Sequence, residues 1–207
     1  MVQGETCTAG RDTQSGGGVR LLGVPTVIDR MVQQAVVQVL QPVFEPMFSD
    51  SSYSFRPGRN AQQAIQRAKG YYEEGYTGVV DRDLEKFFDP VNHDLLIKMV
   101  REIVKDEAII TLIKKFLKSG VMEDELVQGT PQGGNLSPLL SNIYLTKFDR
   151  MREEGGHKVV RYADDGNSYV KSGRAAQRVM EGCTQFLEGK LQLKVNRKPT
   201  GAEVSGI

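Results

Sequence analysis

Two adjacent aspartates, Asp164 and Asp165, have the residue type and spacing most suited to chemistry in this chain. They lie in the stretch RYADDGNSYV, between two apolar segments and directly before a glycine. Adjacent like charges repel each other, and aspartate is disfavoured in strand-like surroundings. Asp-Gly is, however, common at the centre of an ordinary type I′ hairpin turn, which needs no function. Alone, the pattern favours that turn.

A third carboxylate, Asp83, is predicted to meet this pair because of the order of the surrounding elements. From Tyr76 onward the patterns predict a strand, a helical insert and helix, two strands, a helix and a last strand. This order is typical of the split βαβ arrangement of ferredoxin-like folds, in which the first strand pairs antiparallel with the third. Asp83 ends the first predicted strand, and the aspartate pair lies in the turn that leads into the third. The three carboxylates are therefore expected to lie together.

Three converging carboxylates would repel one another unless a cation neutralised them. Hard divalent ions prefer carboxylate oxygens, and Mg2+ is usually held by one or two carboxylates together with substrate phosphates. Two such ions about 4 Å apart can activate an attacking oxygen and stabilise a leaving oxygen. This chemistry is phosphoryl or nucleotidyl transfer, in which positioning and charge neutralisation supply most of the catalysis.

The composition is that of an ordinary globular protein. The chain has 207 residues, 39% hydrophobic and 26% charged, with a formal net charge of +1, so composition by itself does not indicate nucleic-acid binding. Its two cysteines, Cys7 and Cys183, lie far apart, which argues against a disulfide framework and indicates a reducing, cytoplasmic compartment. The apolar runs are too short to span a bilayer, and the N-terminus lacks a secretory signal pattern.

The other elements are predicted from capping signals and apolar periodicity. After Thr26 and Asp29, which fit a capping box, a helix is expected to continue until Pro42. Its buried stripe is expected to consist of Val32, Val36, Val39 and Leu40. Further helices are predicted at about 61–74, 94–104, 107–118, from 137 onward, and at 173–189. Residues 1–18 are expected to form a flexible lead-in.

Five blocks of this chain resemble the reverse transcriptases of bacterial group II introns. YADD resembles their catalytic turn, VVDRDLEKFFDPVNHDLL their first catalytic block, and QGTPQGGNLSPLLSNIYL the block that contacts nucleotide and template. VRLLGVPTVIDRMVQQAV and YSFRPGRNAQQAI resemble two blocks of the fingers. The blocks follow the family's order between about Gly17 and Asn196, so the resemblance extends over nearly the whole chain.

The resemblance implies an α+β architecture of reverse-transcriptase fingers and palm, the palm being a ferredoxin-like split βαβ antiparallel sheet with helices on one face. The fingers are expected at 19–75 and the palm at 76–207, with a helical insert at about 92–136. The implied activity is RNA-directed DNA polymerisation, in which a dNTP is joined to the 3′-hydroxyl of a DNA primer on an RNA template. Two Mg2+ ions, which Mn2+ can replace, are the implied cofactor. Structured intron RNA is a further expected partner, and a membrane is not.

The same resemblance identifies the metal ligands. Asp83, Asp164 and Asp165 are the expected catalytic carboxylates, and Leu84 is expected to lend a backbone carbonyl to a metal ion. Asp81 is a competing candidate in the first block. Asp83 is preferred because the family places its ligand before an aliphatic residue, with an aromatic residue shortly after.

Further contacts are implied around the incoming nucleotide and the nucleic acid. The resemblance assigns nucleotide contacts to Arg20, Phe88 and Gln132, and nucleic-acid contacts to Arg56, Arg59 and Gly133. Phe88 would block a ribose 2′-hydroxyl and so select deoxynucleotides. Gly133 and Gly134 would let the backbone approach template or nucleotide closely. Core packing is the alternative for the phenylalanine, and a solvated loop is the alternative for the two arginines of the Pro-Gly turn.

Three departures from the family pattern bear on activity. Gln14 and Pro199 stand where the family usually has lysines, although Lys198 lies one position before the second. The chain stops at Ile207, so the thumb, the maturase domain and the endonuclease domain are expected to be absent. Two alternatives to a polymerase therefore stay open, namely an RNA-binding splicing cofactor (a maturase) and a catalytically weak remnant.

Overall fold

The computed structural model describes residues 8–13, 19–81, 91–118, 122–123, 126–127 and 134–193, and in the strands before residue 25 and between 122 and 127 it describes the backbone only. The strands are β1 (Thr8–Thr13), β2 (Val19–Val24), β3 (Gly78–Val80), β4 (Met122–Glu123), β5 (Leu126–Val127), β6 (Lys158–Tyr162) and β7 (Asp165–Val170). The α-helices are α1 (Val27–Phe44), α2 (Ala61–Glu73), α3 (His93–Ile103), α4 (Glu107–Lys118), α5 (Ser137–Glu154) and α6 (Gly173–Gly189), with a 3-10 turn at Glu45–Met47.

The chain divides into two compact units. One unit comprises Met1–Phe44 and Phe88–Leu140, and the other comprises Glu45–Phe87 and Ser141–Ile207. Residues 45–75, which were expected in the fingers, thus belong to the same compact unit as the β3-β7-β6 sheet. The division into fingers at 19–75 and palm at 76–207 stays a prediction.

The predicted pairing of the first palm strand with the third is confirmed. The sheet has the order β3-β7-β6, and both pairings are antiparallel. Val80 lies opposite Ser168 in one ladder, and Tyr162 lies opposite Asp165 in the other. Residues 191–193, the start of the predicted last strand, are not in a strand, and the rest of that segment lies outside the described residues. The α+β class is confirmed.

Helices lie on both faces of this sheet, whereas they were expected on one. On one face, α2 places Tyr71 against Tyr169, with ring centroids 5.5 Å apart, and against Val160. Residues paired across a ladder share a face, so the Arg161 side chain points to the opposite face, and its partner Gly166 lies on that face as well. There the buried side of α5 lies against the sheet. The capping box of Asn60 with Gln63 fixes where α2 begins, and its buried residues Ala64 and Tyr71 pack against Val160.

In the other unit, α1 keeps its predicted cap, and its buried stripe contains two of the four predicted residues, Val36 and Leu40. The Asp29 N–H donates to Thr26 Oγ1 at 3.1 Å, and the Thr26 hydroxyl donates to the Asp29 carboxylate at 2.8 Å. The buried residues are Asp29, Gln33, Val36, Leu40 and Phe44, and Val39 is 63% exposed. Pro42 lies inside the helix rather than after it. Only two helical residues follow it, so the hydrogen bond it removes lies in the last turn, where the loss matters least.

A polar contact explains why α1 buries a glutamine. Gln33 Oε1 accepts a hydrogen bond from the Leu136 N–H at 3.3 Å. A side chain on Gly134 would place its Cβ 2.7 Å from the same oxygen. The glycine was expected to bring the backbone close to template or nucleotide, but its close neighbour in the structure is Gln33.

The other elements of this unit show one agreement with the predictions and one difference. The helices α3 and α4 have large apolar faces and lie within one residue of their predicted bounds. Residues 8–13, expected in a flexible lead-in, form β1, which pairs antiparallel with β2. Backbone hydrogen bonds of this pairing stabilise the strand. The sequence TAGRDT has no alternation of apolar and polar residues, so the pattern did not predict a strand there. In the part of the chain that the structure describes, no helix has the length and hydropathy that crossing a membrane requires.

Candidate active site at the β6–β7 hairpin

The aspartate pair lies at a two-residue hairpin turn whose centre is Ala163 and Asp164. The flanking residues Tyr162 and Asp165 pair with each other, so Asp165 and Gly166 belong to β7. Ala163 has a φ of 59°, and Asp164 is not among the described non-glycine residues with positive φ. This is the pattern of a type II′ turn, since type I′ needs positive φ at both central residues. The alternative that these aspartates belong to an ordinary type I′ turn with Asp-Gly at its centre is therefore wrong.

The two carboxylates differ in exposure. Asp164 is half-buried at the turn, and Asp165 is exposed. Alternation along β7 puts Asp165 on the same face as Asn167 and Tyr169. The pKa of Tyr169 is raised above its ordinary value, first by burial, then by the Tyr71 hydroxyl and the Asp81 carboxylate. The competing candidate Asp81 therefore lies near the same sheet face as Asp165.

Under the hairpin, one buried aspartate holds two buried arginines. Asp149 Oδ1 accepts from Arg152 Nη2 at 2.7 Å, and Asp149 Oδ2 accepts from Arg161 Nε at 2.8 Å. The side chains of all three are at most 1% exposed. Burial lowers the pKa of Arg152, and Asp149 opposes that shift. The two arginines and one aspartate of this trio leave one net positive charge buried under the hairpin.

The second arginine of this trio ties the turn to the rest of the unit. Arg161 Nη1 donates to the Ala163 carbonyl at 2.8 Å and to Asn142 Oδ1 at 3.0 Å. Arg161 Nη2 donates to Ser52 Oγ at 2.7 Å. All guanidinium nitrogens of Arg161 thus have an oxygen partner. The residue before YADD is a buried structural anchor of the turn.

The glycine after the aspartates makes room for the other arginine. A Cβ on Gly166 would lie 3.1 Å from Arg152 Nη1 and 3.3 Å from Arg152 Nη2. Arg152 Nη1 also donates to the Gly166 carbonyl at 3.3 Å. The neighbour of this glycine is therefore the buried guanidinium, on the sheet face opposite Asp165.

Several predicted site residues cannot be placed. Asp83, Leu84, Phe88, Gln132 and Gly133 lie outside the described residues, and Arg20 is described only as backbone in β2. Among the described residues no three carboxylate, imidazole or thiolate groups come together. Two of the three expected catalytic carboxylates therefore share one turn, and their meeting with Asp83 stays a prediction.

The two arginines of the Pro-Gly turn have different surroundings. Arg56 is buried, pairs with Glu45 at 2.7 Å, and donates to the carbonyls of Ser49 and Ser52 at 2.5 and 2.9 Å. Its guanidinium is committed to the protein, so it holds the loop in place. Arg59 is half-buried, donates to Asp50 at 2.5 Å, and lies over the Tyr53 ring at 5.5 Å. Of the two, Arg59 has the surface access that a phosphate contact needs.

Sequence reasoning missed the polar support of the hairpin. Asp149 and Arg152 are three residues apart on α5, which is the usual spacing of an exposed helix pair. A signal was present in the helix KFDRMREE, where apolar residues on the buried side are too few to cover a sheet. The small number of apolar residues therefore indicates that charged residues of this helix are buried. It does not identify Arg161 as their partner in the sheet.

A family comparison covers most of the chain. The model of the family "Reverse transcriptase (RNA-dependent DNA polymerase)" matches residues 12–201. Protein YkfC of Escherichia coli K12 is 34% identical over an alignment of 229 positions that covers 90% of this chain and 60% of the relative. Group II intron-encoded protein LtrA of Lactococcus lactis is 40% identical over 136 residues, 64% of this chain and 22% of the relative.

The solved structures support the same fold. A telomerase of Candida tropicalis, solved with a fragment of telomeric RNA, matches 95% of this chain and 40% of its own chain. Its TM-score is 0.69 at 15% sequence identity, so the likeness concerns the fold alone. The chain spans less than two thirds of the curated relatives described above. With a family model matched over residues 12–201, this chain belongs to the reverse transcriptase family.

Proposed function

We propose that this chain is an RNA-directed DNA polymerase of the group II intron type, which joins dNTPs to the 3′-hydroxyl of a DNA primer. The observation that carries the proposal is the β6–β7 turn, where Asp164 and Asp165 are presented by a hairpin held by buried side chains. Membership of the reverse transcriptase family and 40% identity to a group II intron-encoded protein support it.

The register of the sheet supports Asp83 as the third carboxylate. Val80 pairs with Ser168 in the antiparallel β3–β7 ladder. Asp83 follows Val80 by three residues, and Asp165 precedes Ser168 by three. If the ladder kept its register, these two aspartates would be partners on one sheet face. Asp81 would then lie opposite Asn167, one pair further from the turn.

The donor set fits a hard divalent cation. Two adjacent carboxylates, one half-buried and one exposed, supply the oxygen ligands that such ions prefer. Asp164 and Asp165 would hold the ion together with Asp83 and the Leu84 carbonyl, and Mg2+, replaceable by Mn2+, is the proposed metal. When bound, such ions neutralise phosphate charge and lower the pKa of a coordinated hydroxyl. The protein's own part is to fix the turn, which Arg161 does through the Ala163 carbonyl.

The proposed nucleotide contacts involve residues whose side chains the structure does not describe. Arg20 would pair with the triphosphate, Gln132 would line the nucleotide pocket, and Gly133 would let the backbone approach. Phe88 would exclude the ribose 2′-hydroxyl. A cytoplasmic location stays a prediction.

Primer extension on an RNA template tests the activity and the proposed gate together. The 207-residue chain with Mg2+ should extend a DNA primer with dNTPs and should use rNTPs far less well. Phe88→Ala should raise the use of rNTPs relative to dNTPs by at least about tenfold, because the extra oxygen then has room. Phe87→Ala is the matched control and should leave that ratio unchanged. Equal ratios in the two variants would show that Phe88 is not the gate, and extension on DNA but not RNA templates would contradict the proposed activity.

A second candidate function, RNA binding as in a splicing cofactor, is favoured by a polar surface basin beside α2. The basin has a volume of about 500 Å³ and is lined by Tyr53, Gly58, Arg59, Gln63, Gln66 and Arg67. Arg67 stacks over the Tyr71 ring at 4.5 Å and has no carboxylate partner among the described residues. Arg59 and Arg67 both act to lower the pKa of Tyr53, which burial raises overall. Two guanidiniums therefore face one basin, an arrangement suited to a phosphodiester.

Replacing Arg67 with glutamine should weaken RNA binding about equally for all sequences. The loss of one phosphate contact should lower the slope of log affinity against log salt by about one. Fluorescence anisotropy with a structured RNA at several salt concentrations measures this slope. Arg174→Gln, on the exposed start of α6, is the control and should change neither affinity nor slope. If Arg67→Gln left the slope of log affinity against log salt unchanged, the basin would not be part of the RNA-binding surface.

A further inference from the structure

The segment Ser51–Ser54 runs along the outer edge of β6 and touches the candidate catalytic turn. The Arg161 N–H donates to the Ser51 carbonyl at 2.7 Å, and the Tyr53 N–H donates to the Arg161 carbonyl at 3.0 Å. Ser52 and Arg161 form a parallel bridge. The segment therefore covers the outer edge of β6 at Arg161. Its last residue, Ser54, lies beside Ala163.

At that level Ser54 binds the strained residue of the turn. The Ala163 N–H donates to Ser54 Oγ at 2.6 Å, and Ser54 is 1% exposed. Ala163 has a φ of 59°, and a sparsely populated backbone conformation of this kind costs a non-glycine residue about 1 to 3 kcal/mol. Such a conformation persists only when the surroundings determine it. The buried serine oxygen supplies one of the bonds that do so.

A closed ring of hydrogen bonds fixes both sides of Ala163. Its N–H is held by Ser54, and its carbonyl accepts from Arg161 Nη1 at 2.8 Å. Asn142 closes the ring, because its Oδ1 accepts from Arg161 at 3.0 Å and its Nδ2 donates to the Ser54 carbonyl at 3.0 Å. Side chains therefore hold both peptide planes that flank Ala163, one from Ser54 in a distant segment and one from Arg161 in β6. The second of these planes leads directly into Asp164.

We propose that Ser54 is a positioning residue, which sets the Ala163–Asp164 turn and thereby the placement of the two carboxylates that bind the divalent cation. The inference rests on the proposed polymerase function and names a residue 109 positions away from the turn it serves. Without the Ser54 hydroxyl the first peptide plane can rotate and Ala163 can leave its positive φ. The two carboxylates would then lose their common geometry, because a binding constellation must be held to within about 0.5 Å.

Ser54→Ala tests this role through metal binding. Titration calorimetry of the 207-residue chain with Mn2+ should show an affinity lowered by about 10 to 100-fold, as is typical when a residue that orients a metal ligand is removed. Ser54→Thr keeps a γ-oxygen and should restore most of that affinity. The Ala163 amide should exchange with deuterium faster in the alanine variant and at the native rate in the threonine variant.

Ser172→Ala is the matched control. Ser172 also accepts a backbone N–H, that of Ala175 at 3.3 Å, as the N-cap of α6. Its loss should lower the melting temperature of the chain without changing Mn2+ affinity. If Ser54→Ala changes only the melting temperature, as this control does, the positioning role is overturned.

The failure of this inference differs from the failure of the proposed function. If the native chain binds Mn2+ through Asp164 and Asp165 but Ser54→Ala binds it equally well, only the role of Ser54 falls. If the native chain shows no Mn2+ binding that depends on these aspartates, the polymerase proposal falls, and the role of Ser54 falls with it.

Discussion

Primer extension on an RNA template is expected to fall by about a thousandfold or more when Asp164 and Asp165 are both replaced with asparagine. The amides keep the size of the side chains but remove the negative charges that would hold a divalent cation. The two positions are half-buried and exposed, so the fold does not depend on their charge. The melting temperature of the double variant should equal that of the native chain or exceed it, because the repulsion between neighbouring carboxylates is gone.

Two measurements on the same samples check this result. Extension of a labelled primer gives the rate, and thermal unfolding followed by circular dichroism shows whether the variant is folded. Mn2+ titration of the 207-residue chain gives a third readout that does not depend on turnover. If the double variant were folded and kept activity within about tenfold of native, Asp164 and Asp165 would not be catalytic residues.

The first block contains a matched pair of variants that decides between its two candidates. Asp83→Asn should lower primer extension about as strongly as either single change in the turn. Asp81→Asn should leave most of the activity, because a β3–β7 ladder that kept its register beyond Val80 would put Asp81 opposite Asn167 and Asp83 opposite Asp165. The opposite ranking would make Asp81 the ligand and would show that the ladder shifts register after Val80.

Local rules were enough to predict the helices and the central strand pairing. The amphipathic pattern and caps of α2, α4 and α6 place their ends within a residue of the structure. The order of elements after Tyr76 predicts the antiparallel β3–β7 pairing, which confirms that the aspartate turn lies at the edge of the sheet near the end of β3. These features follow from residues close in sequence or from topology, and both leave a mark in the pattern.

The buried polar residues could not be predicted in the same way. Gln33 in one unit and Asp149 and Arg152 in the other are buried at helix positions where the periodicity predicts apolar residues. Their partners lie elsewhere in the fold, as Leu136 does for Gln33, so the compensation is invisible until the chain is folded. The support of Ala163 by Ser54 joins residues 109 positions apart. Sequence patterns therefore show where the reactive carboxylates lie but not what holds them.

Asp149→Asn is expected to be the most destabilising single change in the sheet unit. The substitution removes the only negative charge of a buried trio and leaves Arg152 and Arg161 facing each other without a counter-charge. Breaking a buried ion pair by removing one partner typically costs about 3 to 5 kcal/mol. For a chain of this size that corresponds to a fall in melting temperature on the order of 10 °C. Chemical denaturation should show the same loss in the free energy of unfolding.

A surface pair supplies the control for that prediction. Asp50 pairs with Arg59 at 2.5 Å, but its side chain is 95% exposed. Asp50→Asn should therefore change the free energy of unfolding by less than about 1 kcal/mol, because exposed ion pairs contribute little. Equal effects of the two variants would mean that water reaches the trio. Asp149→Asn should also weaken Mn2+ binding by the molecules that remain folded. Arg161 donates a hydrogen bond to the Ala163 carbonyl and is itself held by Asp149, so its loss of position would disturb the turn.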